Sequence, residues 1–322
     1  MSLFLNMNAK VTLGNVALKN VNKFEISENI LETSNTATIT IPKNYAKLAD
    51  KHILENFKVG DKVVIESGYD TEYEVEFNGY ISEIESDIPI IIHCEDESYI
   101  LRQTNYIESY PNATLKQVLN DVIPANLGIK IECPDVKLGK YQIDKASAFN
   151  VLQDLMKNYG LFSRLNDGVL RVGLAYDFGD NTKEHHYIIG QNVKKNELKY
   201  KRKDDFKVRY KAVAVNPNGK NTTVTVGSKD LNASERTLNF AGPMSESDLK
   251  KKAMAVMAKT VYDGYTGNIT GFGYPRTHAG DALVIKDSNE PERGGKYLIE
   301  KVEITYDSGT GFARQNALGY KI

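Results

Sequence analysis

The sequence predicts a mainly β protein with an α+β insert, in which two related β-barrels flank a small helix-and-hairpin domain. Three observations lead to this prediction. Short segments of alternating, often β-branched residues dominate both ends of the chain. Two helical patterns and one hairpin pattern occupy the middle. A strand that begins with Gly-Asp, two further residues and then Val-Ile occurs twice, at residues 60–65 and 280–285.

Residues 1–104 form the predicted first β-barrel. The stretch Thr36–Ile41 alternates polar and apolar side chains, as a half-buried strand does. A short helix is predicted over residues 44–57, and the strand that begins at Gly60 follows it. The stretch "EYEVEFNGYISEIES" then predicts a long returning strand with a bend at Gly79.

Residues 105–178 form the predicted α/β insert. In its first helix Pro124 stops a run whose apolar residues share one face, namely Leu115, Val118, Leu119, Val122 and Ile123. The second helix has Ser147 as a candidate N-cap and Gly160 at the position that follows the C-terminus. The stretch "LFSRLNDGVLRVG" predicts a hairpin that turns at residues 166–168.

Residues 179–322 form the predicted second β-barrel. The stretch "NELKYKRKDDFKVRYKAVAVN" alternates apolar and basic residues and predicts a strand with one solvated face. A helix is predicted from the N-cap Ser245, with Asp248 in a capping-box position and Gly264 at its end. Strands follow, including the second Gly-Asp strand and a closing hairpin.

The two Gly-Asp strands belong to a longer match. Residues 81–85, "ISEIE", align with residues 299–303, "IEKVE", and the spacing differs by only two residues, which a shorter hairpin tip explains. The order of strands, helix, Gly-Asp strand and long returning strand is also the same at both ends. A single Gly-Asp turn before a strand is common, but the second match and the shared order favour an internal duplication.

Charge is distributed unevenly along the chain, although the net charge is −1. Residues 1–104 carry 9 basic and 17 acidic side chains, whereas residues 179–322 carry 24 basic and 17 acidic ones. The insert is balanced, with 8 of each sign. An acidic first part and a basic last part are expected to attract each other, within one chain or between chains.

The sequence contains no pattern typical of a membrane or disulfide-rich protein. No stretch approaches the roughly 20 apolar residues that span a bilayer, and the N-terminus has neither the basic nor the long apolar region of a signal peptide. Two cysteines, Cys94 and Cys133, are too few for a disulfide framework or a zinc site. We therefore expect synthesis in a reducing cytoplasm and no membrane partner.

Three stretches carry a resemblance to a known family: "SAFNVLQDLMKNYGLFSRLNDGVLRVG", "GYPRTHAGDALVIK" and "GGKYLIEKVEITYDSGTGFARQNAL". The chain resembles the baseplate hub of phage tails, the late control protein D type, which is also similar to the barrel part of secretion-system spike proteins. The resemblance covers most of the chain in the order of its elements. Its motifs describe a shape more than a chemistry.

The resemblance implies a homotrimer in which each protomer contributes two tube-type β-barrels. Such a ring has pseudo-sixfold symmetry and fits between a hexameric tail tube and a threefold spike. The implied partners are the tail tube protein, the spike protein and other baseplate proteins, which the insert would contact. DNA or the tape-measure protein would pass through the lumen without specific binding. The implied location is the virion tail, at the baseplate or tail tip, after assembly in the host bacterial cytoplasm.

Charged residues predict where barrels would meet. We expect acidic residues of the first barrel of one protomer to contact basic residues of the second barrel of its neighbour. The pairing could instead lie within one chain, and the basic stripe could be a solvated strand face. Nucleic-acid binding by the basic stripe is disfavoured, because the aromatic residues alternate to the opposite face of the strand and cannot stack on bases beside the charges. The candidate interface comprises Glu72, Glu74, Glu76, Glu83 and Glu85 with Lys199, Lys201, Lys207, Arg209 and Lys211.

No motif points to an enzyme, a metal site or a cofactor. The nucleophile-elbow, zinc-protease and phosphate-loop patterns are absent from the sequence. Adjacent residues of a strand point to opposite faces, so they are poorly placed to bind one metal ion together. This applies to His185 and His186 and to the stretch "HCEDE" at residues 93–97. The stretch "KDSNEPERGG" predicts a solvated hairpin tip and lacks the ligand spacing of a calcium loop.

Two competing functions remain open at this stage. A tail-associated cell-wall hydrolase would need a cleft with converging carboxylates. A surface carbohydrate-binding β-protein would usually expose aromatic platforms, and the absence of tryptophan disfavours it.

Overall fold

The computed structural model describes residues 6–19, 21–42, 56–70, 72–85, 89–174, 183–216 and 220–322. Strands predominate and form several sheets, which confirms the predicted mainly β class. The helix predicted over residues 44–57 lies almost wholly outside the described residues. The predicted domain limits at 104/105 and 178/179 stay predictions.

Among the described residues, seven strands precede the insert, and we call them the first module. Their apolar side chains alternate inward, so that Val11, Phe24, Ile26 and Ile39 are fully buried. The strands are β1 (Met7–Leu13), β2 (Val16–Lys19), β3 (Lys23–Asn29), β4 (Thr36–Ile41), β5 (Lys62–Tyr69), β6 (Glu74–Glu85) and β7 (Ile90–Glu95).

The described part of the insert, residues 105–174, contains two helices and five strands around a core of its own. Its elements are β8 (Asn105–Thr114), α1 (Leu115–Val122), β9 (Lys130–Glu132), β10 (Lys137–Ser147), α2 (Ala148–Tyr159), β11 (Phe162–Asn166) and β12 (Val169–Gly173). Both helices and the β11–β12 hairpin are as predicted. Ser147 accepts the amide of Asn150 at the start of α2, and Gly160 ends this helix with a φ of 65°.

The last part of the chain divides between two sheets. The second module consists of β13 (Glu184–Ile188), β14 (Val193–Lys201), β18 (Gly264–Phe272), β19 (Ala282–Lys286), β20 (Gly295–Asp307) and β21 (Gly311–Lys321). A separate side unit consists of β15 (Val208–Val215), β16 (Thr222–Gly227), β17 (Ser234–Ala241) and α3 (Glu246–Thr260). In the side unit β15 is central, antiparallel to β16 and parallel to β17.

The two modules form one sheet of 13 strands. Its order is β14-β18-β21-β20-β3-β4-β7-β6-β5-β1-β2, and β19 and β13 extend it from β20. Strand β20 connects the modules: Leu298 pairs with Ala282 of β19, whereas Lys301 pairs with Asn29 of β3. Most of the buried apolar side chains of the two modules therefore belong to one continuous cluster.

The repeated Gly-Asp motif forms the same turn in both modules. The Gly60 amide donates to the Ile81 carbonyl over 2.8 Å, and the Ile81 amide donates to the Asp61 carbonyl over 2.9 Å. In the second module Gly280, Ile299 and Asp281 form the same two bonds, each 2.8 Å long. These are the residues that the sequence alignment matched, and the shared geometry supports the internal duplication.

Two local predictions for the last part are wrong. The basic run around residues 194–211 is not one strand: β14 ends at Lys201, a 3-10 turn covers Lys203–Asp205, and β15 belongs to the side unit. The aspartates of "KDD" turn the chain here, since the Asp205 carboxylate accepts the Arg202 amide. Helix α3 ends at Thr260, and Gly264 already begins β18.

Candidate functional site

The loop between β18 and β19, residues 273–281, lies across the first module, and we call it the junction loop. The Gly273 amide donates to the Tyr69 hydroxyl over 3.2 Å. Nη2 of Arg276 donates to the Val75 carbonyl over 2.6 Å. The loop therefore fastens the second module to strands β5 and β6 of the first.

A fully buried ion pair lies beneath this loop. Nη2 of Arg314 on β21 donates to Oε1 of Glu76 on β6 over 2.6 Å, and neither side chain is exposed. The same guanidinium donates to the carbonyls of Gly273 and Thr277, over 2.8 and 3.3 Å. The Ser67 hydroxyl donates to the same Oε1 over 2.9 Å. One arginine thus holds both the junction loop and the neighbouring module.

Arg276 adds a second positive charge beside Glu76. Its Nε lies 3.3 Å from Oε1 of Glu76, and its guanidinium also pairs with Glu74. Burial and the charge of Arg314 lower the pKa of Arg276 to about 10. Arg276 therefore remains charged at neutral pH, and both arginines contact the carboxylate of Glu76.

The buried residue Glu28 of β3 holds the other end of the junction loop. Its Oε1 lies 3.0 Å from Nδ1 of His278, and its Oε2 accepts the Ala279 amide over 3.0 Å. Burial opposes ionisation of Glu28. The pKa of Glu28 nevertheless lies below its usual value, because other interactions outweigh burial. These are the hydrogen bond and charge of His278, the hydrogen bond from the Ala279 amide and the charge of Arg164.

The insert contacts the same loop. Nη1 of Arg164 on β11 donates to the Ala279 carbonyl over 3.2 Å. The Gly168 amide, at the tip of the β11–β12 hairpin, donates to Oε2 of Glu97 over 3.3 Å. Both modules and the insert therefore meet at the junction loop.

A polar cavity of about 420 Å³ lies at this meeting point. Asp281 lies 2.9 Å from Nε2 of His185, and Asp96 accepts the amides of Asn35 and Ser98 over 2.7 and 3.0 Å. Burial raises the pKa of Asp96 despite these hydrogen bonds. The acidic side chains that line the cavity are Glu28, Glu76, Asp96, Glu97, Asp167 and Asp281. At least five of these six carboxylates are paired with a basic side chain or accept a hydrogen bond from a backbone amide of the same chain.

The predicted acidic residues occupy different environments. Glu72 and Glu83 are exposed, and Glu85 lies 2.7 Å from Nε2 of His93. Glu74 is exposed and pairs with Arg276 of the same chain. Glu76 does not share this exposed face, contrary to the alternation read from the sequence. It occupies a bulge, because Ile65 pairs with Phe77 whereas Glu66 pairs with Val75, and the extra residue turns inward.

The predicted basic residues are divided between two sheets. Lys199 and Lys201 are exposed on β14 of the large sheet. Lys207, Arg209 and Lys211 belong to the side unit, where Lys207 pairs with Asp230 over 3.1 Å and Arg209 lies 3.9 Å from Glu235. A charge interface between protomers therefore stays a prediction for Glu72, Glu83, Glu85, Lys199, Lys201 and Lys211.

Other site chemistry is sparse in the part of the chain that the structure describes. Within the ranges given above, no three histidine, cysteine, aspartate or glutamate side chains converge as metal ligands would. None of the described helices is long and apolar enough to cross a membrane. Cys94 and Cys133 are both free, and Cys94 is buried.

Sequence reasoning named Glu76 for a different contact and missed Arg314 and Glu28, which hold the junction loop. Arg314 stands in the inward register of β21, between the buried Phe312 and Asn316. An arginine in that register signals a buried partner, because an unpaired charge in a core is very costly. Glu28 likewise occupies a buried position of β3, two residues after Ile26.

Comparisons with known proteins show where this fold occurs. A tail protein of prophage MuSo2 from Shewanella oneidensis is 14% identical with a TM-score of 0.65, and the match covers 98% of both chains. A tail protein from Neisseria meningitidis is 13% identical with a TM-score of 0.66, over 99% of this chain and 97% of that one. An E. coli type VI secretion component, described as similar to the T4 tail proteins gp27 and gp5, is 10% identical with a TM-score of 0.59. That match covers 97% of this chain and 76% of the E. coli protein.

Comparison of the sequence alone gives no match. No protein-family model matches the chain, and no curated protein matches it. The likeness lies in the three-dimensional arrangement and extends over nearly the whole chain. The protein has the fold of phage tail proteins and of a related type VI secretion component.

Proposed function

We propose that this protein is the structural hub of a phage tail or a related contractile injection system. Three copies form a ring that joins a hexameric tail tube to a threefold spike. The ring lines the channel through which DNA or the tape-measure protein passes. Its location is the virion tail, at the baseplate or tail tip.

The repeated turn carries this proposal. The bond from Gly60 to Ile81 has its counterpart in the bond from Gly280 to Ile299, and both turns lie in one continuous sheet. Three chains with two related modules each offer six similar positions to a hexameric tube. The same three chains offer true threefold symmetry to a spike. A duplicated module therefore suits a protein that connects a hexameric tube to a threefold spike.

The fold likeness supports the choice of partners. Two of the similar structures are described as tail proteins, and the third as a component of the type VI secretion system. We propose the tail tube protein, the spike protein and other baseplate proteins as partners of this chain, in addition to two further copies of itself. The insert is the element that would contact other baseplate proteins.

The role we propose is mechanical rather than enzymatic. A hydrolase needs a carboxylate that is free to donate or accept a proton at the substrate. In the cavity at the junction loop, Glu76 and Glu28 are bound to Arg314 and His278 of the same chain. These carboxylates hold the modules together, so we expect no cell-wall hydrolysis by the purified chain.

The mass of the purified chain in solution tests the proposal most directly. It should be measured alone and with the tail tube and spike proteins of the same gene cluster, and negative-stain images should be taken of the same fractions. We expect a ring of three chains with an open centre and a sixfold appearance. A chain that stays monomeric in the presence of both proteins would contradict the proposed function as a trimeric hub.

A further inference from the structure

The strands of the two modules follow one order of pairing. The first module has the order β3-β4-β7-β6-β5-β1 across the sheet, and the second has the order β14-β18-β21-β20-β19-β13. The last pair differs in direction, since β13 is parallel to β19 whereas β1 is antiparallel to β5. Both long strands have an irregularity at the same point, between Ile81 and Glu83 in β6 and between Ile299 and Lys301 in β20. Strand β20 therefore corresponds to β6, and β14 corresponds to β3.

Residues that lie opposite each other on neighbouring strands extend this alignment to single positions. In the first module such a path consists of Glu83, His93, Thr38 and Glu25. In the second module the path consists of Lys301, Ala317, Asn268 and Glu197. Glu197 of β14 thus occupies the position of Glu25 in β3. Ion pairs support the match, because Lys23 pairs with Glu25 and Lys195 pairs with Glu197, each over 2.8 Å.

Strand β20 has a neighbour that its counterpart β6 lacks. Beyond the irregularity, β20 pairs with β21 on one side and with β3 on the other, where Lys301 lies opposite Asn29 and Glu303 opposite Ser27. Residues 83–85 of β6 pair with β7, and no strand among the described residues covers their other edge. Strand β14 likewise pairs with β18 alone in the described part of the chain, whereas its counterpart β3 lies between β4 and β20. Two sheet edges therefore lack the neighbour that the repeated structure has elsewhere in the same chain.

The apolar side chains at these two edges are less buried than their counterparts. Val302 and Ile26 are fully buried where β20 and β3 meet. The corresponding residues, Ile84 of β6 and Leu198 of β14, are only half-buried. An open strand edge also presents backbone amides and carbonyls that another strand can pair with. A further strand along each edge would complete both the burial and the backbone hydrogen bonds.

The contact between β20 and β3 supplies a register for the two open edges. Applied to β6 and β14, this register places Glu83 opposite Lys201 and Glu85 opposite Lys199. All four side chains are exposed in the single chain. Opposite charges that lie directly across two antiparallel strands stabilise the pair. The charges of the two edges are therefore complementary in the register that the repeat predicts.

Other registers do not give this match. A shift of two residues in one direction places Glu85 opposite Glu197, and like charges in that position are unfavourable. The same shift in the other direction moves Glu83 past Lys201, the last residue of β14. A shift of one residue would turn Ile84 to the polar face of the sheet. The charges thus select the same register as the structural alignment, although the alignment made no use of them.

We propose that β6 of one copy of this chain pairs antiparallel with β14 of the next copy, with Glu83 opposite Lys201 and Glu85 opposite Lys199. This proposal rests on the proposed trimeric hub, for which it names the contact between protomers. The partner is a second copy because the chain already joins its own modules by the equivalent pairing of β20 with β3. The two edges differ from each other, so the contact is head to tail and closes into a ring when the rotation allows it.

Pairs of cysteines test this register directly. All variants carry Cys133→Ser, and the remaining native thiol, Cys94, is buried. Glu85→Cys combined with Lys199→Cys places two thiols opposite each other on neighbouring copies, where the Cα atoms lie about 4.5–5.5 Å apart and a disulfide can form. The chain should be oxidised mildly, both alone and with the tail tube and spike proteins of the same gene cluster. We expect covalent dimers and trimers on a non-reducing gel.

Two further cysteine pairs serve as controls. Ser27→Cys with Glu303→Cys is the equivalent pair within one chain, where the Ser27 hydroxyl donates to Oε1 of Glu303 over 3.1 Å. This pair should link inside the chain and give no dimer. Glu83→Cys with Lys199→Cys tests the register, because these positions would lie diagonally across the two strands, about 7–8 Å apart. That distance is too long for a disulfide, so this pair should link far less.

A charge reversal keeps the test independent of disulfide geometry. Glu85→Lys places two lysines opposite each other and should weaken trimer formation by roughly tenfold or more, with an unchanged circular dichroism spectrum. Glu108→Lys makes the same change at an exposed position of β8 in the insert and should leave trimer formation unchanged.

The outcomes separate this contact from the proposed hub. A trimer that forms normally with Glu85→Lys and gives no link between positions 85 and 199 would overturn the contact and leave the hub intact. Links that extend past three copies into open chains would support the contact and count against the trimeric hub. A chain that neither assembles nor links in the presence of the tube and spike proteins would overturn both.

Discussion

Arg314 and Glu76 form a fully buried ion pair between β21 and β6, with 2.6 Å from Nη2 to Oε1. The two residues lie 238 positions apart in the chain. Desolvation of two charges is expensive, and the pair is tolerated because the guanidinium also satisfies the carbonyls of Gly273 and Thr277. The pair fixes the second module and its loop against the first.

Removal of this arginine should destabilise both modules. Arg314→Met leaves the Glu76 carboxylate buried beside fewer donors, and we expect a loss of about 3–5 kcal/mol in the free energy of unfolding. Thermal and urea unfolding followed by circular dichroism measure it. Arg293→Met is the control, because Arg293 is 41% exposed and pairs with Glu290 only three residues away. Its expected cost is below about 1 kcal/mol. Equal losses in both variants would argue against a structural role for the buried pair.

Glu28 should make the stability of the protein depend on acidic pH. The pKa of Glu28 is lower in the folded chain than in the unfolded one. Its contribution is therefore present above the unfolded pKa and is lost as the pH falls through the folded pKa. Glu28→Gln should lower the melting temperature at pH 7 and reduce the further fall between pH 7 and the acid range.

The control for this pH effect is Glu108→Gln. Glu108 is exposed on β8, so its substitution should leave the pH profile of wild type unchanged. If Glu28→Gln followed the wild-type profile over the same range, the carboxylate of Glu28 would not hold the junction loop in the way described.

The repeated turns should respond alike to substitution of their glycines. Gly60 and Gly280 have φ values of 89° and 97°, which L-residues rarely adopt. Gly60→Ala and Gly280→Ala should each cost about 1–3 kcal/mol of stability. Gly309→Ala is the control, since Gly309 lies in a turn without a positive φ. A large cost at one turn and none at the other would weaken the structural equivalence of the modules.

The predicted charge contacts between protomers should depend on salt. We expect the proposed trimer to dissociate more readily at about 0.5 M than at about 0.05 M salt, because ions screen exposed pairs. Lys199→Glu with Lys201→Glu should weaken assembly. Glu83→Lys with Glu85→Lys should restore it when both pairs of changes are combined in one chain. Assembly that is insensitive to salt and to both reversals would exclude this interface.

Local patterns in the sequence predicted most elements of the insert. The N-cap Ser147, the terminal Gly160 and the turn at Asp167 and Gly168 act within a few residues of chain, and the structure has all of them. The matched Gly-Asp turns were predictable for the same reason. The alternation of apolar and basic residues wrongly predicted a single strand over residues 194–211. A 3-10 turn at Lys203–Asp205 there separates strands of two different sheets.

The candidate site depended on contacts that no local pattern carries. Glu76 turns inward because β6 has one residue more than β5 at that point, which alternation cannot reveal. Its partner Arg314 is distant in sequence, and so is His278 from Glu28. The charges of residues 1–104 and 179–322 did indicate attraction between the two ends. Among the described residues, the ion pairs between these two parts of the chain use Arg276, Arg314 and His278 instead of the predicted lysines and Arg209.

The position of β20 has a consequence for synthesis of the chain. Strand β3 has β4 on one side, and on the other side it has β20, which the ribosome makes about 270 residues later. At about 5–20 residues per second, this delay is roughly 15–50 seconds. During that time β3 has an open edge, which can pair with strands of other nascent chains. Chaperone protection of the growing chain should therefore matter most before Lys301 emerges, and a nonsense mutation upstream of β20 should yield aggregates instead of a soluble half.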